Sequence, residues 1–185
     1  MKLDIFTLFP EAFDWFLGQR HVRNAISGGS KVECVDVRAT TTLSGRQVDD
    51  TPFGGGAGMV LRVDVMAAAL EARYGIDPAD LPDSGRRVIA LTPSGRLLDD
   101  DLVEEISQAD DVTLLCGRYE GFDERILDRF CSDRVSIGRY VLAGGEIPAM
   151  VVADAVIRRL RLTPTTATMS LRAAVPVAIP YRPNT

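Results

Sequence analysis

Four turn-rich segments hold most of the residues in this chain that could do chemistry. They are VDDTPFGGGAGM (48–59), LTPSGR (91–96), CGRYEGFDER (116–125) and SIGRYVLAGGEIPAM (136–150). The first is not a Walker loop, because no Lys-Ser/Thr follows its glycines. Nor is it a dinucleotide fingerprint, because Met59 stands where the third glycine would fall. A bare glycine backbone can approach a flat ligand or close over it, and a surface loop is the plain alternative. The second segment leaves a strongly apolar run and by itself reads as a turn. In the third, Gly117 and Gly121 flank Arg118, Tyr119 and Glu120. A tight turn accounts for those glycines but not for the polar triplet between them. In the fourth, Gly138, Gly144 and Gly145 surround an apolar YVLA, and Glu146 opens a helix. Apolar walls rich in main chain suit an adenine and a thioether neighbour. With no lysine near, they suit a triphosphate poorly. Three such loops, each after a strand, suggest a nucleotide-like ligand held largely by main chain.

The elements that must position these loops alternate along the chain. KLDIFTLF reads as a buried opening strand. Glu11 to Ile26 has roughly helical apolar spacing and ends at Gly28-Gly29. VECVDV (32–37) alternates with period two. Val63 to Tyr74 reads as a helix capped by Asp64. RVIALT (87–92), VTLLCG (112–117) and RVSIG (134–138) are strands. Asp99 to Ala109, Phe122 to Phe130 and Ile147 to Leu160 are helices. The first of these three opens with acids that suit the helix dipole, and the last carries Pro148 in its first turn. Strands alternating with helices predict an α/β fold with a mainly parallel sheet and flanking helices. Functional segments should lie at the carboxyl ends of its strands.

The chain has 185 residues, the size of one domain, with 46 % apolar and 25 % charged residues. Its net charge is −5 and its pI about 4.9, which excludes binding nucleic acid through bulk positive charge. The single histidine, His21, is the one candidate for any Ser-His-Asp triad, and it excludes metal sites built on several imidazoles. Three cysteines without a CxxC fit a reducing cytoplasm rather than a disulfide or zinc framework, and no metal site is expected. The N-terminus lacks the layout of a signal peptide. The most apolar later stretch, 147–157, is too short to span a bilayer, so a soluble protein without a membrane partner is expected. After Asp154 there is no acidic residue but there are five arginines. The remaining 16 basic residues face 26 acids in 1–154, a net of −10. From about Arg161 the chain turns rich in Thr, Ala and Pro. The expected organisation is a domain over 1–160 and an irregular tail over 161–185.

DDTPFGGGAGM, LTPSGR, CGRYEGFDER and SIGRYVLAGGEIPAM, in that order and after LFPEAF, closely resemble the bacterial tRNA (guanine-N1)-methyltransferases of the SPOUT superfamily. The resemblance covers about residues 1–160. It implies a deep trefoil knot from about 88 to 150, S-adenosylmethionine (AdoMet) as methyl donor, a homodimer, and tRNA as partner. The acceptor would be N1 of the guanine that follows the anticodon. By the family's pattern, Leu91, Pro93, Gly117, Tyr119, Glu120 and Gly121 border the AdoMet pocket. So do Ile137, Gly138, Arg139, Tyr140, Val141, Leu142, Gly144 and Gly145. The 48–59 loop would meet the target base. A role for Mg²⁺ stays open, since no residue pattern reads on it.

The resemblance also makes Arg158 catalytic, as a hydrogen-bond donor to guanine O6. Alone, Arg158 reads as a solvated cation on a helix end. Guanine N1 is a poor nucleophile while it carries its proton. Removing that proton puts charge on O6, where an arginine stabilises it, and a carboxylate must take the proton. Three departures from the family stand out. Arg139 replaces a common Asp, and Ala90 and Ser94 replace larger or amide side chains. The tail resembles neither the family's acid-rich linker nor its tRNA-gripping C-terminal domain. The expectation is therefore impaired methyl transfer by this chain. The alternatives are a non-catalytic AdoMet-binding dimer module, or a SPOUT methyltransferase for another RNA.

Overall fold

The computed structural model describes residues 1–52 and 54–162; the expected tail lies almost wholly outside them. In chain order the elements are β1 (Lys2–Thr7), α1 (Asp14–Leu17), α2 (Arg20–Ser27), β2 (Lys31–Asp36), β3 (Asp49–Asp50), β4 (Val60–Leu61) and α3 (Val63–Tyr74). Then come β5 (Arg87–Leu97), α4 (Asp100–Ser107), β6 (Asp111–Cys116), α5 (Glu124–Arg129), β7 (Asp133–Ser136) and α6 (Glu146–Leu162). The main sheet has the order β2-β1-β6-β5-β7, and every neighbouring pair in it is parallel. The α/β fold and the parallel sheet expected from the sequence are both present.

Central strands of such a sheet are covered on both faces and read as unbroken apolar runs. Leu3 and Ile5 of β1, Ile89 and Leu91 of β5, and Val112 and Leu114 of β6 point to one side. There they pack on Phe13, Phe16 and Val22, on Leu102 and Ile106 of α4, and on Ala149, Val152 and Val156 of α6. Phe6, Val88, Ala90 and Leu115 point to the other side, onto α3 and α5. Asp4, which interrupts the apolar run of β1, is fully buried on that second side. It accepts hydrogen bonds from Arg73 at 2.7 and 3.2 Å and from the Tyr74 hydroxyl at 3.0 Å.

Several elements differ from the sequence expectation. The helix expected over Glu11 to Ile26 is a 3-10 turn at Pro10–Phe13 followed by α1 and α2. Gly18 closes α1, and Gln19 is extended (φ −65°, ψ 140°), which turns the chain so that both Phe16 and Val22 enter the core. Asp64 does not cap α3. Arg62 holds the cap position, and Asp64, inside the first turn, accepts from its Nε and Nη2 at 2.9 and 2.8 Å. The segment LTPSGR is not a simple turn. It lies within β5, whose pairing with β7 shifts register, so that Leu91 and Arg96 both lie opposite Val135 and 92–95 bulge outward. Helix α5 starts at Glu124 rather than Phe122, because Asp123 caps it and Phe122 bridges to Leu61. Helix α6 runs past the expected boundary, to Leu162.

Candidate functional site

The bulge of β5 and the loops after β6 and β7 meet at the carboxyl ends of the strands, where open α/β sheets bind ligands. They enclose a cleft of about 320 Å³. Leu91 and Pro93 contribute from the bulge, and Gly117, Tyr119, Glu120 and Gly121 from the loop after β6. Ile137, Gly138, Tyr140, Val141, Leu142, Gly144 and Gly145 contribute from the loop after β7. Of the expected binding residues, Arg139 alone does not line the cleft; it is exposed beside it. Residues outside the expected binding set also line it, among them Arg118, Phe122, Leu127, Val135 and Pro148. Arg118 and Phe122 stand inside the segment 116–125, and Pro148 inside the segment 136–150. Leu127 and Val135 are core residues by pattern, and only the fold brings them to the floor.

The walls are close-built. The Tyr119 backbone sits in the left-handed region (φ 60°), an uncommon conformation for a bulky residue, and it turns the polar triplet at the cleft mouth. Ser136 Oγ donates to Gly138 O at 2.9 Å, and the Tyr140 hydroxyl donates to Ile137 O at 3.2 Å. This folds the Tyr140 ring over Gly138. Gly145 donates from its N–H to Gly117 O at 2.8 Å. A β-carbon on Gly145 would lie 2.6 Å from Cys116 Cα, so only glycine allows this approach. Cys116 is buried beneath the cleft, and loss of solvent followed by the nearby Glu146 pushes its thiol pKa well up.

The glycine-rich segment 48–59 lies against the same rim. Its flanks form the small antiparallel ribbon of β3 and β4. Glu120 donates its N–H to Met59 O at 2.9 Å, Leu61 to Gly121 O at 2.9 Å, and Asp123 to Leu61 O at 3.1 Å. Gly58, at φ +85°, packs on the Glu120 side chain. Arg62 Nη1 reaches Asp50 Oδ2 at 2.6 Å and ties the ribbon to α3. The hydrogen bond from Arg62 holds the Asp64 carboxyl below its usual range, and that from Arg125 does the same for Asp123.

Arg158 is not brought to the cleft of its own chain. It is exposed on α6, ten residues beyond Pro148, or about 15 Å along the helix. One turn earlier on the same face, Asp154 hydrogen-bonds Nε2 of His21 on α2. Among the described residues no group of His, Cys, Asp and Glu is placed to hold a metal ion. No helix there is long and apolar enough to cross a membrane, and all three cysteines are free.

A family model described as tRNA (Guanine-1)-methyltransferase TrmD matches residues 1–169. The chain belongs to the tRNA (guanine-1)-methyltransferase family. Among curated proteins of that name, it is 49 % identical to the one from Rhodospirillum rubrum, over 86 % of this chain and 64 % of the relative. It is 45 % identical to that from Geobacter sulfurreducens, over 85 % of this chain and 62 % of the relative. Identity to the Heliobacterium modesticaldum protein is 45 %, over 86 % and 59 %. The chain thus spans about three-fifths of the length of the family members it matches.

Proposed function

We propose that this chain binds AdoMet in the cleft and forms the methyl-transferring part of an enzyme that methylates N1 of the guanine 3′ of the anticodon in tRNA. One observation carries the proposal. In a member of this family, the three glycine-rich loops converge on one cleft at the carboxyl ends of β5, β6 and β7. The cleft fits the donor chemically. Its walls are main chain, glycine and apolar side chains such as Leu91, Leu142 and Phe122, which suit an adenine and a thioether. No lysine lines it.

When bound, AdoMet supplies an electrophilic methyl group. The rest falls to the protein. An arginine at guanine O6 stabilises the charge that develops as N1 gives its proton to a carboxylate, and Arg158 takes the arginine's role; Glu120 is a carboxylate that lines the cleft. Because Arg158 lies about 15 Å along α6 from its own cleft, a second copy must present it. A homodimer is therefore part of the proposal. It is supported by exposed apolar residues in the loop after β7 and the first turns of α6: Val141 (81 % exposed), Tyr140, Leu142, Ile147 and Val151. The ribbon β3–β4, sewn to Glu120, would stand over the acceptor base. The trefoil knot belongs to the same reading. Its support is the passage of 134–135 against Gly95 and of Gly145 against Cys116, with β7 paired on both sides of the bulge. The free thiols fit a reducing cytoplasm.

Titration calorimetry with AdoMet, followed by methyl transfer to tRNA lacking the modification, tests the proposal. Micromolar binding and N1-methylguanine in the product support it. Binding without any transfer points to the non-catalytic module, and transfer to another RNA points to the other alternative.

A further inference from the structure

Three residues from distant parts of the chain meet behind the cleft: Thr7 at the end of β1, Arg118 after β6, and Glu146 at the start of α6. Glu146 is 4 % exposed. Its Oε1 accepts from the Thr7 hydroxyl at 2.9 Å, and Thr7 Oγ1 itself accepts from the Phe9 N–H at 3.0 Å. Its Oε2 lies 3.0 Å from Arg118 Nη2, as an ion pair without hydrogen-bond alignment. The guanidinium lies 4.5 Å from the centre of the Phe9 ring, and its Nη1 donates to Ala143 O at 3.4 Å. Arg118 Nε and Glu146 Oε2 are buried without hydrogen-bond partners, directly under Gly144. A β-carbon there would fall 2.6 Å from Glu146 Oε2 and 2.7 Å from Arg118 Cζ.

Burying such a pair is costly, and apolar packing would join two strand ends and a helix start as well. What apolar packing would not do is hold one carbonyl, that of Ala143, with the same guanidinium that fills the place of a Gly144 β-carbon. We propose that Thr7, Arg118 and Glu146 form a clamp that fixes the 143–145 segment of the cleft wall in its ligand-binding conformation. They are positioning residues. Thr7 and Glu146 do not line the cleft, so any effect they have on a ligand passes through the wall. The proposal rests on the reading that the cleft takes AdoMet. The wall itself has a reporter independent of the ligand, the Gly145 N–H donated to Gly117 O.

The test compares the unmodified protein with Thr7→Val, Thr7→Ser and Glu146→Gln. Losing a hydrogen bond to a charged acceptor should weaken AdoMet binding by calorimetry about tenfold in Thr7→Val. Glu146→Gln should behave alike, while Thr7→Ser, which keeps the hydroxyl, should bind like the unmodified protein. Hydrogen exchange of the ligand-free proteins should show faster exchange at Gly145 in Thr7→Val and not in Thr7→Ser. A merely structural role would lower Tm but leave AdoMet affinity and local exchange unchanged well below Tm. If the unmodified protein binds AdoMet and Thr7→Val binds it within twofold, the clamp is overturned. If the unmodified protein binds no AdoMet, the assignment of the cleft fails instead. The exchange at Gly145 then still decides: faster in Thr7→Val upholds the clamp, unchanged overturns it.

Discussion

Gly95 lies against the main chain of Val135 with no room for a β-carbon between them. The contact closes the bulge of β5 over β7 and so sets the position of Pro93 at the cleft. Gly95→Ala should therefore force the two strands apart. The expected cost is about 1–3 kcal/mol, as for other overpacked sites, read as a lower midpoint in urea. AdoMet affinity should fall with it, because the displaced strand carries part of the wall.

Asp4 should be the most sensitive buried charge. Arg73 and Tyr74 both bond it, and Arg86 Nη1, 3.9 Å away, is already buried without a hydrogen-bond partner. Asp4→Ala leaves these arginines without their shared anion. A loss of roughly 3–5 kcal/mol is expected from urea unfolding. Asp4→Asn, which keeps an acceptor for Tyr74, should cost less.

The thiols make stability depend on alkaline pH. Burial pushes Cys34 up from 9.0 to about 11 and Cys131 up to about 12. The folded protein thus keeps these protons after the unfolded chain has begun to lose them. Their contribution is constant below about pH 9 and falls as pH rises from there through the folded values. Urea midpoints at pH 7.5 and 10 should show the decline, and a variant with Cys34 and Cys131 both replaced by Ala should make it shallower without abolishing it, because the buried Cys116 thiol, also pushed up, remains. A decline that is identical in that variant would assign it to other groups.

Arg158→Ala should lower methyl transfer by roughly 10²–10³-fold with little change in AdoMet affinity. Gly144→Val should do the reverse at the binding step, since its side chain would displace Arg118. Mixed and reassembled, the two inactive variants should regain activity, because one subunit brings an intact cleft and the other an intact Arg158. Absence of any recovery in proven mixed dimers would place Arg158 on its own cleft or outside the reaction.

Much of this cleft could be read from residue order because its walls are rich in glycine and main chain. Such a cleft needs glycines at fixed places, and Gly117, Gly138, Gly144 and Gly145 mark themselves in the sequence. The strands were legible for a related reason: β1, β5 and β6 are covered on both faces and therefore continuously apolar. What was not legible depends on distance in the chain. Nothing near Thr7 announces that its hydroxyl meets Glu146, 139 residues away. The break at Gly18-Gln19 was hidden because apolar spacing continues across it. Arg139 was expected in the wall by its place in the motif. The Tyr140 ring folds back over Gly138 and lines the cleft, while Arg139 stays outside.

The order β2-β1-β6-β5-β7 has a consequence for synthesis on the ribosome. The first strand made, β1, finds β2 early but waits for residues 111–116 before its other edge is covered. Strand β5 emerges before both of its partners, β6 and β7. A nascent chain therefore carries two apolar strands with open edges until well past its midpoint. The helix that shields the far side of β1 and β6 comes last. Such intermediates invite edge-to-edge association between neighbouring nascent chains. Slow elongation between β5 and β7 would lengthen the exposure, and chaperone engagement should peak in that window.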